Sequence, residues 1–406
     1  MNTRLDRTKL NIGAYILQPY ARGEKHIKEI RDCGIDMIID LDYDKDALDL
    51  FSKYGLYAIV RGVVPHWWGG CGKAGLFKNE HPLEKYKKCA DRYIDHPAIC
   101  GISIGDEPSA LDFPHYGKVF DKVNTLFPKS FPYLNLYPNY ATVAENTADE
   151  TVSQLGTKTY DEYIDSYCKY VPADYISYDY YVYATRNLGG CLENFRVVSE
   201  AARKHGKRLM YIPQVNSSRK EEWMSVNRLR FQAFSAMSFG AEDITWGCYT
   251  AGWWHNNVLD ENGEKTPQYE KLKLVNSEIR YLADTYMKYK NTCTHLLGFD
   301  GDTMNKVKQE ALTELSAGYF LGLHAEDNRP LIIGEMSKRN GTDEKALFIT
   351  VADDYLDEHP SATRLVFSSC RSISVIGKDG YIPLSFDGER YSFDIKSNEA
   401  YIVIAK

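Results

Sequence analysis

The 406-residue chain holds no apolar run near the ~20 residues that a membrane-spanning helix needs, so no such helix and no membrane partner is expected. It lacks any Lys/Arg run interleaved with aromatics, which argues against a nucleic-acid partner; acid and base are mixed along it, with a net charge of −7. The cysteines, Cys33, Cys71, Cys89, Cys100, Cys168, Cys191, Cys248, Cys293 and Cys370, include no C-x-x-C pair and no His at zinc-finger spacing. Structural thiols are therefore expected, with Cys100 and Cys248 acting as small hydrophobes inside apolar runs. Met1 to Asp6 is polar and carries no signal-peptide apolar region. That start fits either a cytoplasmic protein or the trimmed form of a secreted or periplasmic one. No H-x-H or H-E-x-x-H groups His66, His81, His96, His115 or His255 at a strand end, so neither a metal nor any other cofactor is expected.

What the chain does have is aromatic: 31 Tyr and 6 Trp. Such rings fill cores, and they also stack on flat apolar ligand faces. Over the N-terminal three-quarters, short apolar runs alternate with longer amphipathic stretches. The runs Asn11–Gln18, Asp36–Asp42, Leu56–Val63, Ile99–Asp106, Tyr133–Pro138, Tyr175–Val182, Leu209–Gln214 and Asp243–Tyr249 read as strands. Between them His26–Cys33, Lys45–Tyr54, Leu83–Tyr93, Tyr116–Leu126, Tyr160–Tyr170, Leu192–His205 and Val226–Phe239 show helical spacing, and Tyr269–Tyr289 reads as an eighth helix. Gly34, Gly55, Gly206 and Gly240 supply stops.

Parallel neighbours need a crossover each time, so strand-then-helix repeated eight times predicts a (β/α)8 barrel. The rival is a doubly wound sheet, but no G-x-G-x-x-G follows the first strand. From about Leu296 the period turns to two. Ala346–Val351, Arg364–Phe367, Ser372–Ile376, Arg390–Ile395 and Ala400–Ala405 are separated by Asn340-Gly341, Lys378-Asp379-Gly380 and Asp387-Gly388. The expected organisation is α/β: a barrel over residues 1–290 and a C-terminal all-β sandwich over residues 291–406.

A barrel places its active site at the C-terminal strand ends. On strand four, alternation puts Gly101, Ser103, Gly105 and Glu107 on one face and Cys100, Ile102 and Ile104 on the other, delivering Glu107 at the mouth. The plainer reading is that Asp106-Glu107-Pro108-Ser109 caps the next helix. On strand six the same alternation turns Asp179 inward beside Ser177 and Tyr181, where it could equally be a satisfied structural carboxylate. Other strand ends are also polar. Strand five offers Asn135, Tyr137 and Asn139, strand seven Gln214 and Asn216, and strand eight Trp246 and Tyr249, with Trp253, Trp254 and His255 following. The third strand and its loop add Arg61, His66, Trp67 and Trp68. Amides, hydroxyls and flat rings suit a neutral polyol, so a carbohydrate is the expected ligand and His66, Trp67, Asp106, Asn135, Tyr137, Tyr181, Gln214, Asn216 and Trp246 the expected contacts.

Gly105-Asp106-Glu107-Pro108 resembles the strand-four ending of clan A glycoside hydrolases, in which Asn-Glu-Pro carries the acid/base. Tyr133 to Tyr140, Ser177 to Tyr181, Asp260-Glu261-Asn262-Gly263 and Thr266-Pro267 look like the β-galactosidase-type barrel proteins common in gut bacteria. The resemblance implies glycosidic bond cleavage with Glu107 as acid. Two departures stand out. Asp106 replaces an Asn that donates to the sugar, and strand seven, Tyr211-Ile212-Pro213-Gln214-Val215-Asn216, lacks the nucleophilic Glu. Asp179 is then the candidate second carboxylate, as nucleophile at roughly 5 Å or base at roughly 6.5–9.5 Å from the acid. The alternatives are a substrate-assisted N-acetylhexosaminidase similar to family 18, with Trp246 in its strand-eight place, and a carbohydrate-binding pseudoenzyme.

Overall fold

The structure is a computed structural model that describes residues 3–69, 73–89, 95–141, 154–309, 315 and 318–406. Cys71 and residues 90–93 of the helix expected over Leu83–Tyr93 lie outside them; that helix is described over Leu83–Lys87.

Eight parallel strands form the barrel: β1 (Asn11–Tyr15), β2 (Met37–Asp42), β3 (Tyr57–Arg61), β4 (Ile99–Asp106), β5 (Phe131–Asn135), β6 (Tyr175–Asp179), β7 (Arg208–Ile212) and β8 (Ala241–Trp246). Successive strands pair in order from β1 to β5 and from β6 to β8, and β1 pairs with β8. Most strands are shorter at the C-terminal end than their apolar runs, because the chain leaves the ladder there to build the mouth. The β5–β6 seam carries one backbone bridge, Leu136 with Tyr178. Side chains hold the rest of it: the Tyr175 hydroxyl accepts from Leu134 N (2.9 Å) and donates to Pro132 O (2.8 Å). At the opposite end, the guanidinium of buried Arg208 binds buried Asp243, which also accepts from Asn11 (3.0 Å).

Helices pack outside, among them Lys45–Tyr54, Phe113–Leu126, Tyr160–Tyr170, Leu188–His205, Val226–Ser238 and Pro267–Tyr286. Gly55 and Gly206 end two of them in the left-handed region, φ 67° and 61°, where a Cβ would be strained. Tyr178 and Tyr211 face this outer layer and meet the ring of Phe195.

The C-terminal module is a β-sandwich that starts earlier than its period-two pattern. The edge strand Tyr289–Leu297 follows the eighth helix, which itself ends at Tyr286. Its first buried residues include Asn291, a polar side chain where alternation would call for an apolar one. The larger sheet runs Tyr289–Leu297, Leu331–Lys338, Lys345–Val351, Ala400–Ala405, Ile373–Gly377 and Gly380–Tyr381 in spatial order. The smaller runs Leu321–Ala325, Ala362–Ser368, Tyr391–Lys396 and Ser385–Phe386. Leu331, Ile333, Leu347, Ile349, Leu365, Phe367, Phe393 and Val403 fill the space between them. The larger sheet rests on the helix Val226–Ser238. Gly334 approaches it so closely that a Cβ there would sit 2.2 Å from the Ser238 carbonyl, and the Ser238 hydroxyl meets that of Thr350 at 2.9 Å.

Candidate active site

The site begins with an irregularity in β4. Ser103 pairs with Tyr133 but Gly105 pairs with Leu134, so Ile104 is an extra residue, a β-bulge. The bulge inverts the expected alternation beyond Ser103. Gly105 faces outward, where a Cβ would lie 2.2 Å from the hydroxyl of Tyr116 on the helix Phe113–Leu126. Asp106, not Gly105, turns into the barrel mouth. Glu107 reaches the same cavity through a left-handed backbone, φ 45°, uncommon for a residue with a Cβ and worth roughly 1–3 kcal/mol of strain. Its amide donates to Asn135 O (3.0 Å).

Trp67–Trp68 forms a two-residue strand beside Gly105 and Asp106, and Gly69 N donates to Asp106 O (3.0 Å). Gly69 is demanded there, since a Cβ would fall 2.1 Å from the Glu107 carbonyl. The tight strap aims the Trp68 indole at Glu107 Oε2, to which it donates at 3.2 Å.

From β5 and β6 comes a buried hydrogen-bonded chain. Tyr133 and Ser177 hydroxyls meet at 3.0 Å, Ser177 donates to Asn135 Oδ1 (3.1 Å), and Asn135 Nδ2 donates to Asp179 Oδ1 (2.7 Å). Asn135 and Asp106 line the same cavity, so this amide stands between the strand-four and strand-six carboxyls. The resulting cavity, about 360 Å³, is lined by these three acids and Asn135, and walled by Tyr15, Trp68, Tyr181, Trp253 and Trp254 with Ile212. Tyr181 meets Trp254 edge-on at 4.9 Å and Trp253 at 6.1 Å, while Tyr15 meets Trp253 at 5.4 Å.

Among the described residues, no ion pair reaches Asp106, Glu107 or Asp179; Arg61 at the neighbouring strand ends is bound to Asp40 (2.7 Å) and Asp42 (2.6 Å) instead. Desolvation and mutual repulsion disfavour the charged forms of three carboxyls that no cation compensates. Burial, then the charge of Asp179, pushes Glu107 up to about 8, against the Trp68 bond, which lowers it. Burial and the charge of Asp106 push Asp179 up to about 7, opposed by the bonds from Asn135 and Tyr181. Asp106 is raised well above the carboxylate range by burial, Glu107 and Asp40. In its protonated form Asp106 can donate as well as accept a hydrogen bond.

Of the residues expected from sequence, Glu107, Asp179, Asp106, Asn135 and Tyr181 converge on the cavity. His66, Trp67, Tyr137, Gln214, Asn216 and Trp246 do not line it. Trp67 is buried against Phe77 and His81, the other face of the strap from Trp68. Tyr137 is buried beside Tyr163. His66 is half-buried next to the Asp40–Arg61 pair, and burial lowers its pKa. Gln214 spends its amide oxygen on the backbone of Tyr183 (3.0 Å) and Ala184 (3.1 Å), and Asn216 donates to Trp253 O (2.6 Å). Trp246 points away from the mouth and donates to Asn276 on the eighth helix (2.9 Å). Tyr15 was not anticipated, although its place as the last residue of β1 marks a mouth position.

A (β/α)8 barrel with a carboxyl cluster under an aromatic rim is the class that fold and site define. No protein-family model and no curated protein sequence matches the chain. Among solved structures, it is similar to a catalytic mutant of a GH42 β-galactosidase from G. stearothermophilus, with TM-score 0.58 and 8% identity over 100% of this chain and 99% of that one. An α-amylase from Geobacillus thermoleovorans, complexed with acarbose, aligns with TM-score 0.54 and 9% identity over 98% of each chain. The likeness is one of fold: the chain is a (β/α)8 barrel with a C-terminal β-sandwich.

Proposed function

We propose that the protein hydrolyses a glycosidic bond in an oligosaccharide or glycoconjugate, with the barrel of residues 1–290 as its catalytic unit. The observation that carries this reading is the pair Glu107 and Asp179, a half-buried and a buried carboxyl with raised pKa values facing one aromatic-walled cavity. Glu107, raised to about 8, is protonated at neutral pH and serves as general acid toward the leaving oxygen. Asp179, raised to about 7, is the second carboxyl, nucleophile or base by its distance from the acid in the substrate complex. Trp68, Trp253 and Trp254 supply apolar faces for the sugar ring, and Asp106 and Asn135 its hydroxyl partners.

A panel of aryl glycosides, followed by natural oligosaccharides, tests the proposal. Glu107→Gln is expected to cost about 10²–10⁴-fold in kcat/KM on substrates with poor leaving groups. Unaltered turnover of a natural glycoside in that variant would sink the assignment. The competing reading is a sugar-binding protein without turnover. It is favoured by strand seven, which presents Ile212 to the cavity and no carboxylate. Saturable sugar binding with no hydrolysis across the panel would establish it.

A further inference from the structure

A second cluster of reactive groups lies on the sandwich, away from the barrel mouth. On the edge strand Tyr289–Leu297, Asn291 pairs with Met336 but Cys293 pairs with Glu335, so the register shifts between them. This bulge decides which way the following side chains point. Asn291 and Thr294 both face the barrel, each donating to Ser238 O at 3.0 Å. Cys293 and His295 take the other face, which Glu335 shares with Ile333 and Leu331 of the sandwich interior. There Cys293 stands two residues before His295 on the same strand face and opposite Glu335, and the His295 Nε2 meets Glu335 Oε1 at 2.7 Å. Thiol, imidazole and carboxylate thus stand in series, the arrangement in which a base activates a nucleophile and a third group orients the base.

We propose that Cys293 is a reactive thiolate, activated by His295 and Glu335, and the site at which this protein is oxidised by peroxides. The proposal is independent of what the barrel mouth does.

The charged groups about the thiol favour its ionised form. The His295 bond and then, against burial, the His295 and Arg203 charges lower the Cys293 pKa, while Glu335 opposes. Burial lowers His295, but its bonds to Cys293 and Glu335 outweigh that and raise it to about 9. The imidazole and the thiol thus each favour the ionised form of the other. Burial raises Cys33, Cys100, Cys168, Cys191 and Cys248 instead. Cys293 is half-buried on an edge strand, within reach of a molecule as small as hydrogen peroxide. In the reaction, the thiolate sulfur attacks one peroxide oxygen and the O–O bond breaks. The departing hydroxide takes the His295 proton and leaves as water, and sulfur is oxidised to the sulfenic acid as peroxide is reduced.

Cys370 provides the internal control, because it is exposed whereas Cys293 is not. Accessibility alone makes Cys370 the faster thiol. Thiolate chemistry makes Cys293 the faster at pH 6, where an ordinary thiol is only ~0.3% ionised. The intact protein is treated at pH 6 with limiting iodoacetamide, or with hydrogen peroxide followed by dimedone, and each cysteine is quantified by peptide mass spectrometry. Cys293 is expected to react about tenfold faster than Cys370, the gain in thiolate being partly offset by its lower basicity. His295→Gln should remove that advantage, and Cys293→Ser should remove the main dimedone adduct. Equal or faster labelling of Cys370 in the unaltered protein overturns the proposal without any variant, and so does an unchanged Cys293 rate in folded His295→Gln.

Discussion

Replacing Asp179 by Asn should do two opposite things, abolish turnover and stabilise the fold. Asp179 is 3% exposed and its pKa is raised from 3.8 to about 7 by burial and the charge of Asp106. A carboxyl raised in this way keeps its proton in the folded chain at pH values where the unfolded chain has released it. Stability therefore falls as pH rises from about 4 to about 7 and stays at the lower level above that window. The full linkage would be about 4 kcal/mol, and relaxation around the cluster reduces what is expected in practice to about 1–3 kcal/mol. Asp179→Asn removes the ionisation, and the amide oxygen it introduces can still accept from Asn135 Nδ2, now 2.7 Å from the carboxylate. Thermal melts of both proteins from pH 4 to pH 8 measure the effect. The variant should gain little at pH 4 and about 1–4 °C at pH 8, given about 1 °C per kcal/mol for a chain of this length. Sugar binding, measured by quenching of Trp68, Trp253 and Trp254 fluorescence, should persist while hydrolysis is lost. A melting difference that is flat with pH, or a variant less stable than the parent at pH 8, would refute the desolvated-cluster reasoning. Undiminished hydrolysis would remove Asp179 from the chemistry.

Two further substitutions test the framework around the site. Gly69→Ala drives a Cβ toward the Glu107 carbonyl, 2.1 Å away in the present backbone, so the Trp68 strap must lift; kcat/KM should drop about tenfold or more, as a misplaced catalytic group entails, with far-ultraviolet circular dichroism unchanged. Asn291→Ala deletes bonds to Ser238 O (3.0 Å) and from Arg203 (2.8 Å) where the sandwich meets the barrel; it should cost about 1–3 kcal/mol through unsatisfied buried groups, read as a lower denaturation midpoint, with kcat/KM preserved.

Much of the framework is local and was therefore legible. Apolar runs of strand length, helical spacing between them and glycines at left-handed stops such as Gly55 and Gly206 are set by each segment's own chemistry. The order of these segments admits few topologies, because parallel strands need right-handed crossovers. Glu107 and Asp179 were visible for the same reason, as acids at the C-terminal ends of apolar strands. Less legible was the first strand of the sandwich, where Asn291 and Thr294 face the barrel as hydrogen-bond partners of Ser238 rather than as apolar core.

Tertiary contacts decided which polar groups the mouth keeps. Gln214 and Asn216 lie beyond a strand end, as Asn135 lies at one, but their amides are consumed by the backbone of neighbouring loops, whereas Asn135 reaches the carboxyls. Trp67 and Trp68 are adjacent and alike in sequence; pairing of their strand with Gly105 and Asp106 sends one into the core and the other over Glu107. The two bulges, at Ile104 and between Asn291 and Cys293, each add a residue against a partner strand that the sequence does not name. A one-residue slip reverses every later side chain in its strand. The chain's own pattern therefore set which segments become strands and helices, while pairing between distant segments set Asp106 facing the cavity and Cys293 facing His295 and Glu335.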